Sequence, residues 1–313
     1  MEGWLAGLPP ELLSPWALGL LGLVVGSFLN VVVHRLPLML ERQWWGDVAA
    51  QLADSDSFKR VFASNAPERL VLASGGLEKV IAELSPLGLA RPASRCPSCG
   101  HRIRWFENIP VLSWAFLRGR CSACGTAISL RYPLVEVGTA LIFAALAWRI
   151  GPQPLALLWC AVAAVLLALS LIDWDTTVLP DALTLPLLWA GLVAAALGLL
   201  PGLSLPQSLW GAATGYLSLW VVYWFFKLAT GKEGMGYGDF KLLAALGAWL
   251  GWQAILPIVL MASVLGAAVG LVMKAGGSLR QGRFVPFGPF LAGGGGVVML
   301  AGLPAVLGWI GWA

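Results

Sequence analysis

The sequence predicts an all-α polytopic membrane protein, and three observations lead there. Of its 313 residues, 58% are hydrophobic and 12% charged, against about 25% charged in ordinary soluble domains. Mean hydropathy is +0.80. The apolar residues gather in runs close to the ~20 that a helix needs to cross a hydrocarbon layer with every backbone group satisfied internally. The 17 tryptophans suit the interfacial belts of such a bundle.

Eight runs qualify as transmembrane helices: residues 16–33, 134–148, 155–172, 182–200, 208–228, 240–250, 254–273 and 288–309. The first ends at His34-Arg35 without a small-residue cleavage pattern, and no basic residue precedes it in 1–10. It therefore reads as an uncleaved span whose N-terminus lies outside, on the periplasmic side. The second and sixth runs are short. Between the first and second lies one long polar stretch, 35–131, with 13 of the 20 Lys+Arg and 8 of the 16 Asp+Glu. Within it, 41–90 shows weak helical periodicity and carries no chemistry.

Charge sets the topology. Positive residues stay in the cytoplasm, a rule that short loops obey better than long ones. With 35–131 cytoplasmic, alternation places the 173–181 loop, the loop of Lys227 and Lys232 and that of Lys274, Arg280 and Arg283 there too, with Lys241 at the same boundary and Arg149 left outside. The predicted organisation is an N-terminal segment and first helix (1–33), a cytoplasmic domain (34–132) and a seven-helix membrane domain (133–313). No 20–50-residue repeat is visible, and the one low-complexity tract is Gly293 to Gly296. The net charge of +4 identifies no partner; the positive excess of 35–131 fits topology and anionic lipid.

Cys96-Pro97-Ser98-Cys99-Gly100 and Cys121-Ser122-Ala123-Cys124-Gly125 form two C-x2-C pairs 21 residues apart. A two-residue gap lets both sulfurs face one ion, so Cys96, Cys99, Cys121 and Cys124 read as a tetrahedral four-thiolate zinc site. Four protein ligands leave no open position, which makes the site structural. Two disulfides or a redox motif are the alternatives; a reducing compartment disfavours the first, and no βαβ pattern supports the second. Cys160, alone in an apolar run, reads as a small buried hydrophobe.

Two acidic loops interrupt the apolar chain, Ile172-Asp173-Trp174-Asp175-Thr176-Thr177-Val178-Leu179-Pro180-Asp181 and Gly234-Met235-Gly236-Tyr237-Gly238-Asp239-Phe240. Ionisable groups at membrane depth mark chemistry or transport. Asp173 closes the third span and Asp239 opens the sixth, at the same boundary. Two aspartates sharing one proton hydrolyse a peptide bond, one as base on water and the other as acid. An ion or proton pathway is a second use of such residues. Helix capping is a third, which fits Asp181 and is open for Asp239. The residues alone leave the three open.

Further segments join these: residues 26–37 (Gly26-Ser27-Phe28-Leu29-Asn30 through His34-Arg35-Leu36-Pro37), Glu107-Asn108-Ile109-Pro110, Arg131-Tyr132-Pro133-Leu134-Val135-Glu136 and Pro286-Phe287-Gly288-Pro289. In this order, with the cysteine pairs and the two acidic loops, they resemble the bacterial type IV prepilin peptidase family over nearly the whole chain. That family is the Gly-x-Gly-Asp class of membrane aspartic proteases serving type IV pili and type II secretion.

The resemblance implies a bifunctional inner-membrane enzyme. It would cleave the leader from type IV prepilins and pseudopilins on the cytoplasmic side, then N-methylate the new terminal residue with S-adenosyl-L-methionine. Its partners would be those substrates and the bilayer, with no nucleic acid. Carried over by motif, the catalytic residues fall on Asp173 and Asp239, with Asp175 the near neighbour. A transporter with an aspartate proton relay and a non-catalytic assembly factor are the competing classes. No Gly-x-Gly-x-x-Gly turn marks a methyl-donor site; Asn30, His34, Glu107 and Glu136 are polar candidates near the domain edge that equally serve as anchors between loop and bundle. Helix ends predict a division of labour: Asp239 at a helix start is favoured as the ionised base, and Asp173 at a helix end as the protonated acid.

Overall fold

The computed structural model describes residues 9–277 and 285–312. Arg280 and Arg283, invoked for topology, and the first eight residues lie outside the described residues.

Among the described residues all regular structure is helical apart from two isolated β-bridges, Arg95–Arg102 and Arg120–Ala127. Helix α1 runs Pro15–Ala53, capped by the Ser14 hydroxyl, which accepts from the Ala17 N–H at 3.3 Å. Its 39 residues span about 58 Å, roughly twice the hydrocarbon thickness. The domain boundary expected after Val33 is not a break in the helix, which passes through Pro37 and continues beyond the apolar run as a mixed polar and apolar rod. Helices α2 (Ser55–Phe62) and α3 (Glu68–Glu83) follow, and α3 packs back on α1. The weakly periodic segment is thus helical. Arg35 and Arg42 of α1 lash its exit down by donating to the carbonyls of Gly88 (2.9 Å) and Ser85 (3.0 Å).

After the cysteine segment comes the short α4 (Leu112–Phe116), then α5 (Arg131–Ile150), α6 (Pro154–Thr176), α7 (Asp181–Ala196), α8 (Leu205–Thr230), α9 (Tyr237–Leu250), α10 (Ile255–Ala275), α11 (Gly288–Ala301) and α12 (Leu303–Trp309). The first seven apolar runs each coincide largely with one of these helices, and the last is divided between α11 and α12. Among the described residues, four helical stretches are long and apolar enough to cross a membrane: α1, α5, α6 and 252–275; α11 with α12 makes a fifth if the bent pair is one span. The last predicted span is in fact broken, its halves turned by 110°. Gly302 adopts φ 86°, which glycine reaches without a Cβ penalty. Arg149 caps the freed carbonyls, donating to Leu300 at 3.0 Å and Ala301 at 3.2 Å.

Close backbone approach builds the bundle, as expected where lipid removes most of the hydrophobic drive between helices. A Cβ on Gly22 would lie 2.6 Å from Ala140 Cα and one on Gly26 2.7 Å from Glu136 Cα, so α1 and α5 meet nearly backbone to backbone. Gly211 and Gly215 do the same for α8 against α9. Buried polar groups add cross-ties: the Ser208 hydroxyl donates to the Ala248 carbonyl (2.6 Å) and the Trp249 indole N–H to that of Leu187 (2.8 Å).

Helix α9 is the core. From Asp239 to Trp249 every residue except Lys241 is buried, inside a cluster with Leu169, Leu187, Leu219, Ile258 and Leu291. At 14 residues it is only about 21 Å long. α7, α8, α10 and α11 surround it.

Candidate active site and metal centre

Asp173 lies in the last turn of α6 and Asp239 in the first turn of α9. Residues two apart point to opposite sides of a helix, and both sites use this. Asp173 and Asp239 face inward, 5% and 8% exposed. Asp175 and Lys241, two positions on, face outward into ion pairs. Both Arg131 guanidinium nitrogens donate to the Asp175 carboxylate at 2.8 and 2.7 Å, and Lys241 Nζ reaches both oxygens of Asp181 at 2.7 Å.

Between Asp173 and Asp181 the chain turns sharply. Thr177, at φ 55°, ends α6 by donating its N–H to the Asp173 carbonyl at 2.8 Å. The 177–180 strap then crosses to α7 with Val178 exposed and Leu179 turned inward. Leu179 is what the two acidic loops share. A Cβ on Gly238 would lie 2.8 Å from Leu179 Cβ, and one on Gly288 3.2 Å from Leu179 Cδ1 and 2.6 Å from Asp173 Oδ2. The Asp173, Asp239 and Gly288 segments therefore converge on one side chain. The rings of Tyr223, Tyr237 and Phe240 pack at a tilt to one another, with centroids 5.3–5.7 Å apart, beside the Asp239 loop.

Gly288 begins α11, and its N–H donates to Asp173 Oδ2 at 3.0 Å. Only a residue without a side chain lets that helix end close onto the carboxylate. The pattern Pro286-Phe287-Gly288-Pro289 was visible in sequence; its contact with a residue over a hundred positions away was not. The contact also removes the basis for dividing the two acids by helix ends. Asp173 sits at the C-terminal end of its own helix but receives the N-terminal N–H of another, so both carboxylates now face a helix N-terminus. Asp181 is no cap either: the start of α7 has no side-chain capping bond, and the carboxylate takes Lys241 instead.

The four predicted sulfur ligands do converge. The Sγ atoms of Cys96, Cys99, Cys121 and Cys124 lie within 4.8 Å of one another, with Cys96–Cys124 at 3.8 Å and Cys99–Cys121 at 4.0 Å. Four sulfurs ~2.3 Å from a tetrahedral zinc stand about 3.8 Å apart, whereas a disulfide needs ~2.05 Å. The cluster fits a metal ion, and all five cysteines are free thiols. Each pair is a knuckle closed by an antiparallel bridge, and Gly100 and Gly125 turn the chain at φ 71° and 73° with no atom crowding them. Those glycines serve conformation, not space. Cys160 is buried against Leu18, Phe143 and Leu146, as expected of a small hydrophobe.

Three of the four polar candidates at the domain edge make hydrogen bonds to neighbouring backbone. Asn30 donates to the Tyr132 carbonyl at 3.2 Å. Glu136, 8% exposed, accepts the Val111 N–H at 2.7 Å and holds that β-branched residue at φ 60°. Glu107 accepts the Arg104 N–H at 2.8 Å; that bond first, then the Ser122 hydroxyl and His101, hold its carboxyl down to about 2. His34 is exposed.

Two buried carboxylates on segments that converge in an apolar helical bundle have the makings of a membrane aspartic peptidase. Comparison with known proteins agrees. The profile of the Bacterial Peptidase A24 N-terminal domain matches residues 20–150, and that of the Type IV leader peptidase family matches 160–271. A prepilin leader peptidase/N-methyltransferase of Pseudomonas putida is 51% identical over 282 residues, 90% of this chain and 88% of that protein. Proteins of the same name from Burkholderia pseudomallei (47% over 302 residues, 96% and 90% covered) and Pseudomonas aeruginosa (48% over 288, 90% and 89%) are similarly close. The chain belongs to the type IV leader peptidase family. No solved structure matches it.

Proposed function

We propose that this protein is a membrane aspartic endopeptidase that removes the leader of type IV prepilins and pseudopilins and then N-methylates the new N-terminus. The observation that carries the proteolytic half is the convergence of Asp173 and Asp239, both buried, on Leu179 and Gly288. Like charges confined in a site of low dielectric do not both ionise, so the pair shares one proton. The ionised member takes a proton from water as that oxygen attacks the scissile carbonyl. The protonated member delivers its proton to the departing amine, and the roles reverse for the next turnover. The Gly288 N–H steadies the charge on Asp173.

All eight apolar segments lie in the membrane in this reading, the first outside the seven-helix domain and the short α7 and α9 embedded within it. The ends bearing Arg131, Lys227 and Lys241 face the cytoplasm of an inner-membrane protein with a periplasmic N-terminus, and Arg149, at the far end of α5, faces away. Residues 34–132 form the cytoplasmic domain and 133–313 the protease domain. Zinc is the metal that four clustered thiolates favour, and it contributes folding energy to that domain. S-adenosyl-L-methionine supplies the methyl group for the second reaction. Among the described residues the only β pairing is two isolated bridges, so a Rossmann-type cradle for it is absent.

The test is cleavage of a prepilin in detergent by purified wild type and by the Asp173→Asn and Asp239→Asn variants. Both substitutions abolish cleavage while the protein stays folded in the membrane. A transporter or assembly factor would cleave nothing in any form.

A further inference from the structure

We infer that the Lys241–Asp181 ion pair is a positioning device for proteolysis: it pins the 177–180 strap so that Leu179 stays wedged between Gly238 and Gly288 and sets how the two aspartates meet. The inference rests on the peptidase reading above.

Its first support is placement. Lys241 is the sole basic residue of α9 and the one residue of that helix between Asp239 and Trp249 that is not buried. It stands two positions after Asp239 and so leaves the helix on the face opposite the carboxylate. Asp181 is the first residue of α7, directly after the strap. The bond joins the aspartate-bearing helix to the strap's far end, while Thr177 fixes the near end to the Asp173 carbonyl.

The second support is that the strap's far end is tied to the start of α7, where the Leu183 and Thr184 N–H groups both donate to the Pro180 carbonyl at 3.0 Å, so the seat of α7 decides where the strap lies. Among its residues Thr177 is in the left-handed region, Val178 is exposed, and only Leu179 and Pro180 turn inward. Leu179 has no room to slide: the Gly238 and Gly288 backbones are nearer to it than any larger residue would allow. A strap released at Asp181 withdraws Leu179 from that slot, and both glycine-lined walls, each carrying one side of the carboxylate pair, lose their spacer.

The third support comes from geometry against exposure. The Lys241 and Asp181 side chains are 30% and 53% exposed. Ion pairs so exposed contribute little to global stability, yet Nζ lies 2.7 Å from both carboxylate oxygens. Such a contact matters for local placement, where a shift near 1 Å can change rate by about a hundredfold.

The experiment is a double-mutant cycle in detergent with a prepilin substrate. Lys241→Met and Asp181→Asn each lower kcat about tenfold or more with KM within about twofold, and the double variant loses no more than either single, because both break one contact. The reversed pair, Lys241→Asp with Asp181→Lys, recovers activity. Single variants with wild-type kcat, or losses that multiply in the double variant, overturn the inference. Amide exchange across 177–179, read without substrate, rises in both single variants; unchanged exchange overturns it independently. A wild type that cleaves no prepilin overturns the peptidase reading instead, and exchange then decides the pair alone.

Discussion

Replacing Gly288 by alanine perturbs the site by one methyl group at a defined place. Its backbone is helical, so alanine introduces no dihedral strain; the difficulty is the carboxylate in front of it. The new Cβ would lie 2.6 Å from Asp173 Oδ2 and 3.2 Å from Leu179 Cδ1, where ordinary contacts begin at 3.4 Å. The carboxylate or the helix end must retreat by about 0.8 Å, and misplacement on that scale can lower rates about a hundredfold. Retreat also breaks the 3.0 Å bond from the Gly288 N–H. A hydrogen bond to a charged group contributes about 1.5–3 kcal/mol, which at 1.36 kcal/mol per decade is about 10- to 150-fold. Both routes give a loss of one to two decades in kcat. The assay is steady-state cleavage of a prepilin in detergent, with Gly293→Ala as the control. Gly293 belongs to the same helix and a Cβ there meets nothing within 4 Å, so that variant keeps its activity. Gly288→Ala with wild-type kcat refutes the reasoning, as does an equal loss in both variants.

Further expectations follow from the same geometry. Asp175→Asn retains substantial cleavage, because its pair with Arg131 is part-exposed and such pairs contribute about 0–1 kcal/mol; a dead Asp175→Asn beside an active Asp173→Asn would exchange their roles. Metal analysis finds about one zinc per chain, and Cys96→Ser or Cys121→Ser releases it and opens residues 91–130 to protease; a metal-free, fully active and protease-resistant preparation refutes a structural site. Gly100→Ala forces alanine to φ 71°, a penalty of about 1–2 kcal/mol, seen as weaker metal retention in a chelator titration. Arg149→Ala strips the caps from Leu300 and Ala301 and destabilises the α11–α12 bend by about 1–3 kcal/mol, read as a lower unfolding midpoint with metal content unchanged.

What the sequence discloses here follows the range of the interactions. The cysteine knuckles are local, each set by a two-residue gap and a glycine, and they were legible in full. The apolar runs were legible because hydropathy is a sum over neighbours. Their ends were harder: α1 outruns its apolar stretch by twenty residues of helix stabilised by α3 and by Arg35 and Arg42, and the last span breaks at Gly302, one glycine among many. Helical faces gave no guidance, since in a bilayer both the lipid-facing and the protein-facing sides are apolar. Thus α9 could be found as a short run but not as the buried centre. The two aspartates were visible as charges out of place. Their long-range neighbours were invisible, and one of them, the Gly288 N–H, removed the reason for assigning acid and base from helix ends alone.

If Asp173 and Asp239 act as one catalytic pair, loss of either carboxyl stops cleavage. Wild type and the Asp239→Ala and Asp173→Asn variants, purified in detergent at equal zinc content, are incubated with a prepilin, and the product N-terminus is identified by mass. The account predicts leader removal by wild type alone, with each variant reduced to background. Cleavage at a comparable rate by either variant would contradict it.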